Sequence, residues 1–231
     1  MNETAVAPVS VAPRKRARPD ASRAEWDVCQ AQSLLLSNVT WRMYSTLVKL
    51  FDGTNVCFNY DQGELEIVTK SNEHEGGKKL LARLVEQLAL EWDVPIAGFG
   101  EATLKRKKLK RGLESDECYY VKNEPLFGHG KLPDPERDPP PDLMIEIEVS
   151  RRLLDRKRIL AALGVPELWC FDGRELRFLV LNKSGQYEEH EESLNFPGLK
   201  SADLEQFLLM QGQKGQHEIV LEFRYWARTR R

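Results

Sequence analysis

The stretch PPPDLMIEIEVSRRLLDRKRILAALGVPELWCFDG, residues 139 to 173, decides the fold. Leu143 to Val149 alternates as a strand does, with Leu143, Ile145, Ile147 and Val149 on one face. Asp142, Met144, Glu146 and Glu148 fall on the other. A strand this rich in Ile and Val, set between a proline cluster and a helix, belongs inside a sheet. Carboxylates on such a strand are costly unless something pairs them. Glu146 and Glu148 stand about 7 Å apart along the strand, close enough to reach one cation. Asp142 lies about 13 Å from Glu146 and belongs to the strand entrance. An edge strand with a solvated acidic face is the plainer alternative. Ser150 can cap a helix over Arg151 to Leu163, with Leu153, Leu154, Ile159, Leu160 and Leu163 as its apolar positions. Gly164 suits a left-handed helix end, and Pro166 prevents the helix from resuming. Glu167 to Phe171 is then a second strand, closed by Asp172-Gly173. Strand, crossover helix and strand in this span make a βαβ unit of a partly parallel sheet.

The length of 231 residues fits one domain with a tail, or two small domains. At 41% hydrophobic and 30% charged residues the chain has a globular composition, and no apolar run reaches membrane-spanning length. The first 20 residues lack the apolar core of a signal peptide. Cys29, Cys57, Cys118 and Cys170 form no CxxC pair, which points to reduced thiols and a cytoplasmic location. A net charge of −2 excludes a general polycation, so any nucleic-acid contact must be local.

Residues 1–22, rich in Pro, Ala, Arg and Ser, read as a disordered tail. A domain is expected over 23–212 and a helical extension over 213–231. A helix is expected at about 40 to 51. Val56 to Tyr60 and Glu64 to Thr69 form a hairpin around Asp61-Gln62-Gly63. A long helix runs from Ser71 or Asn72 to about Trp92, with Leu80, Leu81, Leu84, Val85, Leu88 and Trp92 as its core stripe. His74 and Glu75 sit in its first turn, where an acid is favoured for capping alone. Short strands are expected at Pro95 to Phe99, Ala102 to Lys107 and Cys118 to Val121. Between them LKRKKLKRG, residues 104 to 112, holds six basic residues. Such a run is usually a solvated face. Lys105, Arg106, Lys107, Lys108, Lys110 and Arg111 are nonetheless the best local set for phosphate contact. Glu175 to Leu181 and Tyr187 to His190 make a second hairpin, and helices are expected at Ala202 to Met210 and Glu218 to Ala227.

Asp116 precedes one strand, Glu146 and Glu148 lie on the next, and Arg156, Lys157 and Arg158 follow on the helix. Oxygen ligands without His or Cys suit a hard cation, Mg²⁺ or Mn²⁺. Such an ion beside a basic loop suits phosphodiester hydrolysis, because it activates water and offsets charge developing on phosphorus.

At these residues the chain resembles the Uma-two restriction-endonuclease family of the PD-(D/E)XK nuclease superfamily. The resemblance rests on LKRGLESDECYYV at 109–121, PPPDLMIEIEVS at 139–150 and LLDRKRILAALGVPELWCFDG at 153–173, together with SNEHEGGKKLLARLVEQLA at 71–89 and SLNFPGL at 193–199. It covers roughly residues 40 to 210. It implies an α/β fold, with a mixed central sheet flanked by helices, an αβββαβ core and added hairpins. It implies Asp116 as the PD aspartate, Glu146 as the (D/E)XK acid, and Glu75, beside His74, as the acid of the first helix. Asp116, Glu146 and Glu75 would then hold the metal. Two positions depart from the pattern: Ser115 replaces the proline, and Glu148 replaces the lysine. Lysine can migrate to a neighbouring helix in such folds, which makes Lys157 the candidate catalytic base partner alongside Glu148. Asp155 is either a further ligand or a salt-bridge partner of Arg151 or Arg158, and Pro141-Asp142 is a decoy for the PD motif. The resemblance implies DNA as substrate and is compatible with a homodimer. A nuclease fold that binds without turnover, favoured by Glu148, is the alternative; a hydrolase of small phosphoesters is a third.

Overall fold

The computed structural model describes residues 33–69, 72–148 and 152–230, the side chains of residues 72–75 excepted. In chain order the elements are β1 (Ser33–Leu36), α1 (Trp41–Leu50), β2 (Val56–Asp61), β3 (Glu64–Thr69) and α2 (Asn72–Trp92). Then come β4 (Ala97–Gly98), β5 (Thr103–Arg106), a 3-10 turn (Lys107–Leu109), β6 (Arg111–Glu114), β7 (Glu117–Tyr120) and α3 (Glu124–Phe127). The chain continues through β8 (Leu143–Ile147), α4 (Arg156–Leu163), β9 (Glu167–Phe171), β10 (Leu176–Leu181), β11 (Tyr187–His190), α5 (Ser201–Leu208) and α6 (Gln216–Thr229).

The fold is mixed α/β, but its strands make two sheets where one central sheet was expected. The first is antiparallel, in the order β1-β3-β2-β6-β5. The second has the order β11-β10-β9-β8-β7-β4. Among the described strands only the β8–β9 pair is parallel, with Leu143 opposite Glu167 and Ile147 opposite Phe171. Parallel pairing requires a crossover, and α4 supplies it.

The two faces of β8 meet different layers, as a period of two dictates. Leu143, Ile145 and Ile147 join Trp169, Phe171 and Phe178 in a core closed by Leu80, Leu84 and Leu88 of α2 and Phe223 of α6. Met144 faces the other way, with Leu168 and Cys170, onto Ile159, Leu160 and Leu163 of α4 and onto Leu104 and Leu113 of the first sheet. The crossover helix therefore lies between the sheets.

Helix α4 begins at Arg156, five residues later than its expected start at Arg151. The reason is Asp155, whose carboxylate accepts the Arg158 N–H at 3.1 Å and takes the capping role expected of Ser150. Ser150 and Arg151 lie outside the described residues. Gly164 ends the helix at φ +82°, in the left-handed region the sequence required. Helix α6 packs Ile219, Phe223 and Ala227 into the main core, and the indole N–H of Trp92 donates to the Ala227 carbonyl at 3.0 Å.

The basic run is a hairpin. Strands β5 and β6 pair Leu104 with Leu113 and Lys105 with Gly112. Gly112 is needed there because a Cβ would run into the Tyr44 hydroxyl and Lys105. Tyr44 itself is stacked on Tyr60, ring centroids 4.7 Å apart, in the core of the first sheet.

Buried polar groups fix the loops around β8. Asp142, at the strand entrance, accepts N–H groups of Val121 and Asn123 at 2.9 and 2.8 Å and the Asn123 side-chain amide at 2.7 Å. Fully buried Glu167 accepts backbone N–H groups of Leu194 and Asn195 at 3.0 Å each, and so seats the SLNFPGL turn against β9. Cys57, Cys118 and Cys170 are buried thiols, none in a disulfide. No helix among the described residues is long and apolar enough to cross a membrane.

Candidate active site

The register of β7 on β8 brings the first two acidic residues together. Glu117 lies opposite Ile145, so Asp116, one step earlier, reaches the level of Glu146. Both are about 5% exposed. Asp116 accepts the Ile147 N–H at 2.8 Å, tying its carboxylate to the strand that carries Glu146. Ser115 holds the corner before it: its hydroxyl accepts the Ala102 N–H at 3.0 Å and donates to the Ala102 carbonyl at 3.2 Å. A hydroxyl thus anchors this corner where the family pattern has proline.

The partner of Glu146 is Arg156. Its Nε donates to Oε2 at 2.9 Å and its Nη2 to Oε1 at 2.7 Å, a two-pronged grip on one carboxylate. The guanidinium also donates to the Asn59 carbonyl oxygen at 2.5 Å and the Glu114 backbone carbonyl at 2.9 Å. The Asn59 amide donates in turn to Glu66 at 2.9 Å, and Glu66 accepts the Leu153 N–H at 2.7 Å. A buried polar chain therefore runs from β3 through β2 and α4 to β8. Burial, and to a lesser degree Asp116, pushes the Glu146 carboxyl above the usual carboxylate range against the pull of Arg156. Burial works against the charge of Arg156, but Glu146 and Asp116 outweigh it and raise its pKa further.

Glu148 has ion-pair partners of its own. It stands just beyond β8, about a third exposed, with Lys157 at 3.0 Å and Arg177 of β10 at 3.2 Å. Lys157 thus points toward the sheet end and pairs with Glu148. Glu146, Glu148, Arg152, Arg156 and Lys157 line a cleft of about 170 Å³. The site is then two neighbouring ion-pair systems: a buried one at Glu146 and a solvent-reaching one at Glu148. Asp155 caps α4 by accepting the Arg158 backbone N–H, a role outside the two expected for it, a further ligand or a salt bridge to Arg151 or Arg158.

A model of the Uma2 family, described as "putative restriction endonuclease", matches residues 41–213. The chain belongs to the Uma2 family. No curated protein matches it.

The matched span contains Asp116, Glu146, Glu148, Lys157 and Glu75. Glu75 and His74 belong to the first turn of α2, but their side chains lie outside the described residues. Among the described residues no group of three or more His, Cys, Asp or Glu side chains could hold a metal ion. The donor set that remains, Asp116 and Glu146, still fits Mg²⁺ or Mn²⁺ in kind. Mg²⁺ is commonly bound through one or two carboxylates and keeps several waters. Glu146 would have to share its oxygens between the ion and Arg156.

The structure divides the basic run of this Uma2 member. Arg111 pairs with Asp61 at 2.7 Å and Arg106 donates to the Asp138 carbonyl, so both are engaged within the fold. Lys105 is half-buried, whereas Lys107, Lys108 and Lys110 are exposed.

Arg156 was named from the sequence among the three bases of the helix, but not as the partner of Glu146, and Asn59 and Glu66 were not named as part of a site. One signal for Arg156 was present: residues 156, 159, 160 and 163 fall at helical spacing, and all four are buried. The stripe of Ile159, Leu160 and Leu163 therefore places Arg156 beneath the sheet and Lys157 at its margin. Asn59 and Glu66 face each other across the β2–β3 hairpin, but their links to Arg156 and Leu153, 97 and 87 positions away, left no local signal.

Proposed function

We propose that this Uma2 protein is a Mg²⁺- or Mn²⁺-dependent endonuclease that hydrolyses DNA phosphodiester bonds. One observation carries the reading: two buried carboxylates, Asp116 and Glu146, meet on adjacent strands beside a cleft with a lysine at its mouth. The order α2, β4, β7, β8, α4, β9 supports an αβββαβ nuclease core, with the first sheet and the β10–β11 hairpin added to it. The ion, held by Asp116 and Glu146 with Glu75 as a further ligand, would activate water and offset phosphate charge. Arg156 keeps Glu146 oriented. Lys157, partly neutralised by Glu148, is placed to orient a water or a phosphate oxygen at the mouth of the cleft. Lys107, Lys108 and Lys110 are outlying phosphate contacts, with Lys105, Arg106 and Arg111 shaping the hairpin that presents them.

The test is plasmid nicking by the purified protein with Mg²⁺, Mn²⁺ or EDTA, alongside Glu146→Ala. Nicking that needs the divalent ion and disappears in the variant is expected. Equal nicking by parent and Glu146→Ala overturns the assignment. The second reading, a nuclease fold that binds DNA without turnover, draws on the grip of Arg156 on both oxygens of Glu146. It is supported if DNA binding persists and no divalent ion elicits nicking.

A further inference from the structure

A second and larger recess adjoins the cleft. It measures about 580 Å³ and lies between α4 and the β10–β11 turn, with Arg111, Lys157, Arg158, Ser184 and Gln186 on its walls. Lys157 and Asp155 border both recesses, so the larger one adjoins the cleft that contains Glu146. Its charges are unevenly balanced. Asp61 meets two guanidinium groups, Arg111 at 2.7 Å and Arg158 at 3.0 Å. Glu148 likewise meets two cations, Lys157 and Arg177. Each carboxylate thus leaves one positive charge over, and Arg158 is 60% exposed. Asp155 is the opposing charge in the groove, with an oxygen turned to the cap of α4.

The facing wall is rigid and polar. Asn182 accepts the Ser184 N–H at 2.9 Å, the Ser184 hydroxyl at 2.6 Å and the Gln186 N–H at 3.0 Å, which sets the turn. Tyr187 is tied by its hydroxyl to the Val165 carbonyl at 2.8 Å, so it is not held ready to stack on a base.

We infer that this groove between α4 and the β10–β11 turn holds the sugar-phosphate backbone of a DNA strand and delivers it to the Glu146 cleft. Surplus positive charge beside a polar, internally hydrogen-bonded turn, with no poised aromatic, suits backbone contact without base readout. The inference rests on the DNA reading of the site and locates its principal contact away from the exposed lysines of the 3-10 turn.

The experiment is anisotropy of a short fluorescein-labelled DNA duplex with the full chain, in EDTA, over a salt series. Arg158→Gln alters the helix wall, Gln186→Glu alters the turn wall, and Arg137→Gln removes a charge from the loop after α3, which does not line the groove and where Arg137 is 87% exposed. Binding should weaken about 5- to 10-fold in each groove variant, and the salt slope should fall by about one in Arg158→Gln. Arg137→Gln should match the parent, and all variants should melt as the parent does. Parental affinity in both groove variants overturns the groove, as does an equal loss in Arg137→Gln or a parent that binds no DNA at low salt. Failure of the endonuclease reading looks different: groove-dependent binding would persist in EDTA while nicking is absent with either metal. Metal-dependent nicking with unaffected groove variants would sink the groove alone.

Discussion

Arg156 and Lys157 are adjacent residues with opposite environments, and the cap at Asp155 decides which is which. Arg156 is buried on Glu146, and Lys157 is a third exposed beside Glu148. Removing one partner of a buried pair leaves the other charge without compensation, at a cost of about 3–5 kcal/mol. Arg156→Met should show that loss in urea unfolding. Replacing both, as Arg156→Met with Glu146→Gln, should recover part of it, because the stranded charge is gone. A double variant that loses the sum of the two single losses would mean that the residues do not stabilise each other. Lys157→Ala tests the other environment. An ion pair this exposed contributes about 0–1 kcal/mol, so the variant should fold normally. If Lys157 orients the reacting groups, plasmid nicking should fall about 100-fold. Full activity would remove Lys157 from the mechanism. Of these two residues the sequence made Lys157 the easier to notice, since it stood next to a missing lysine. Arg156 was hidden because its acceptors, Asn59 and Glu114, come from another sheet, 97 and 42 positions away.

Among the elements, those with strong local signals were legible. Strand β8 alternates, α4 ends at a glycine, and β9 follows a proline, so the βαβ unit followed from nearest neighbours. The hairpin β5–β6 did not, because Lys105, Arg106 and Arg111 dominate its composition while Leu104 and Leu113 alone mark its inner face. Nor could composition reveal that the acids and bases of α2 and α6 meet. Glu91 of α2 accepts Arg224 at 2.5 Å and Arg228 at 2.8 Å, both from α6. Hydrogen bonds from Arg228 and then Arg224 lower the Glu91 pKa from 4.5 to about 2. A carboxyl held lower in the folded state stabilises it above its unfolded value, and that contribution fades as pH falls through the folded value. Glu91→Gln should therefore lower the melting temperature at pH 7 and 5, and the gap from the parent should narrow as pH falls from about 4.5 toward 2. A gap that stays constant across that window would show that the carboxylate charge does not help dock α6.

Over the whole molecule, two sheets share one crossover helix, and the question is whether they behave as one body. Apolar contact from Leu104 and Leu113 to α4 joins them, but such contact is tolerant of small shifts. The polar chain is more demanding. Glu66 and Asn59 belong to the first sheet, Glu146 belongs to the second, and Arg156 bonds to both sides from the helix between them. Each member is buried, so losing one leaves its neighbours with unmet hydrogen bonds at about 1–3 kcal/mol. Asn59→Ala removes an acceptor of Arg156 and a donor to Glu66 without touching the second sheet. If the network ties the sheets together, the freed guanidinium loosens its hold on Glu146. Amide hydrogen exchange should then quicken in residues 143–147 as well as in 56–61. Faster exchange confined to residues 56–69, with 143–147 protected as in the parent, would reduce the network to a local bond within the first sheet. Asn59 would then have no part in aligning the candidate catalytic carboxylates, and Arg156 would hold Glu146 with the Glu114 carbonyl as its remaining tie to the first sheet.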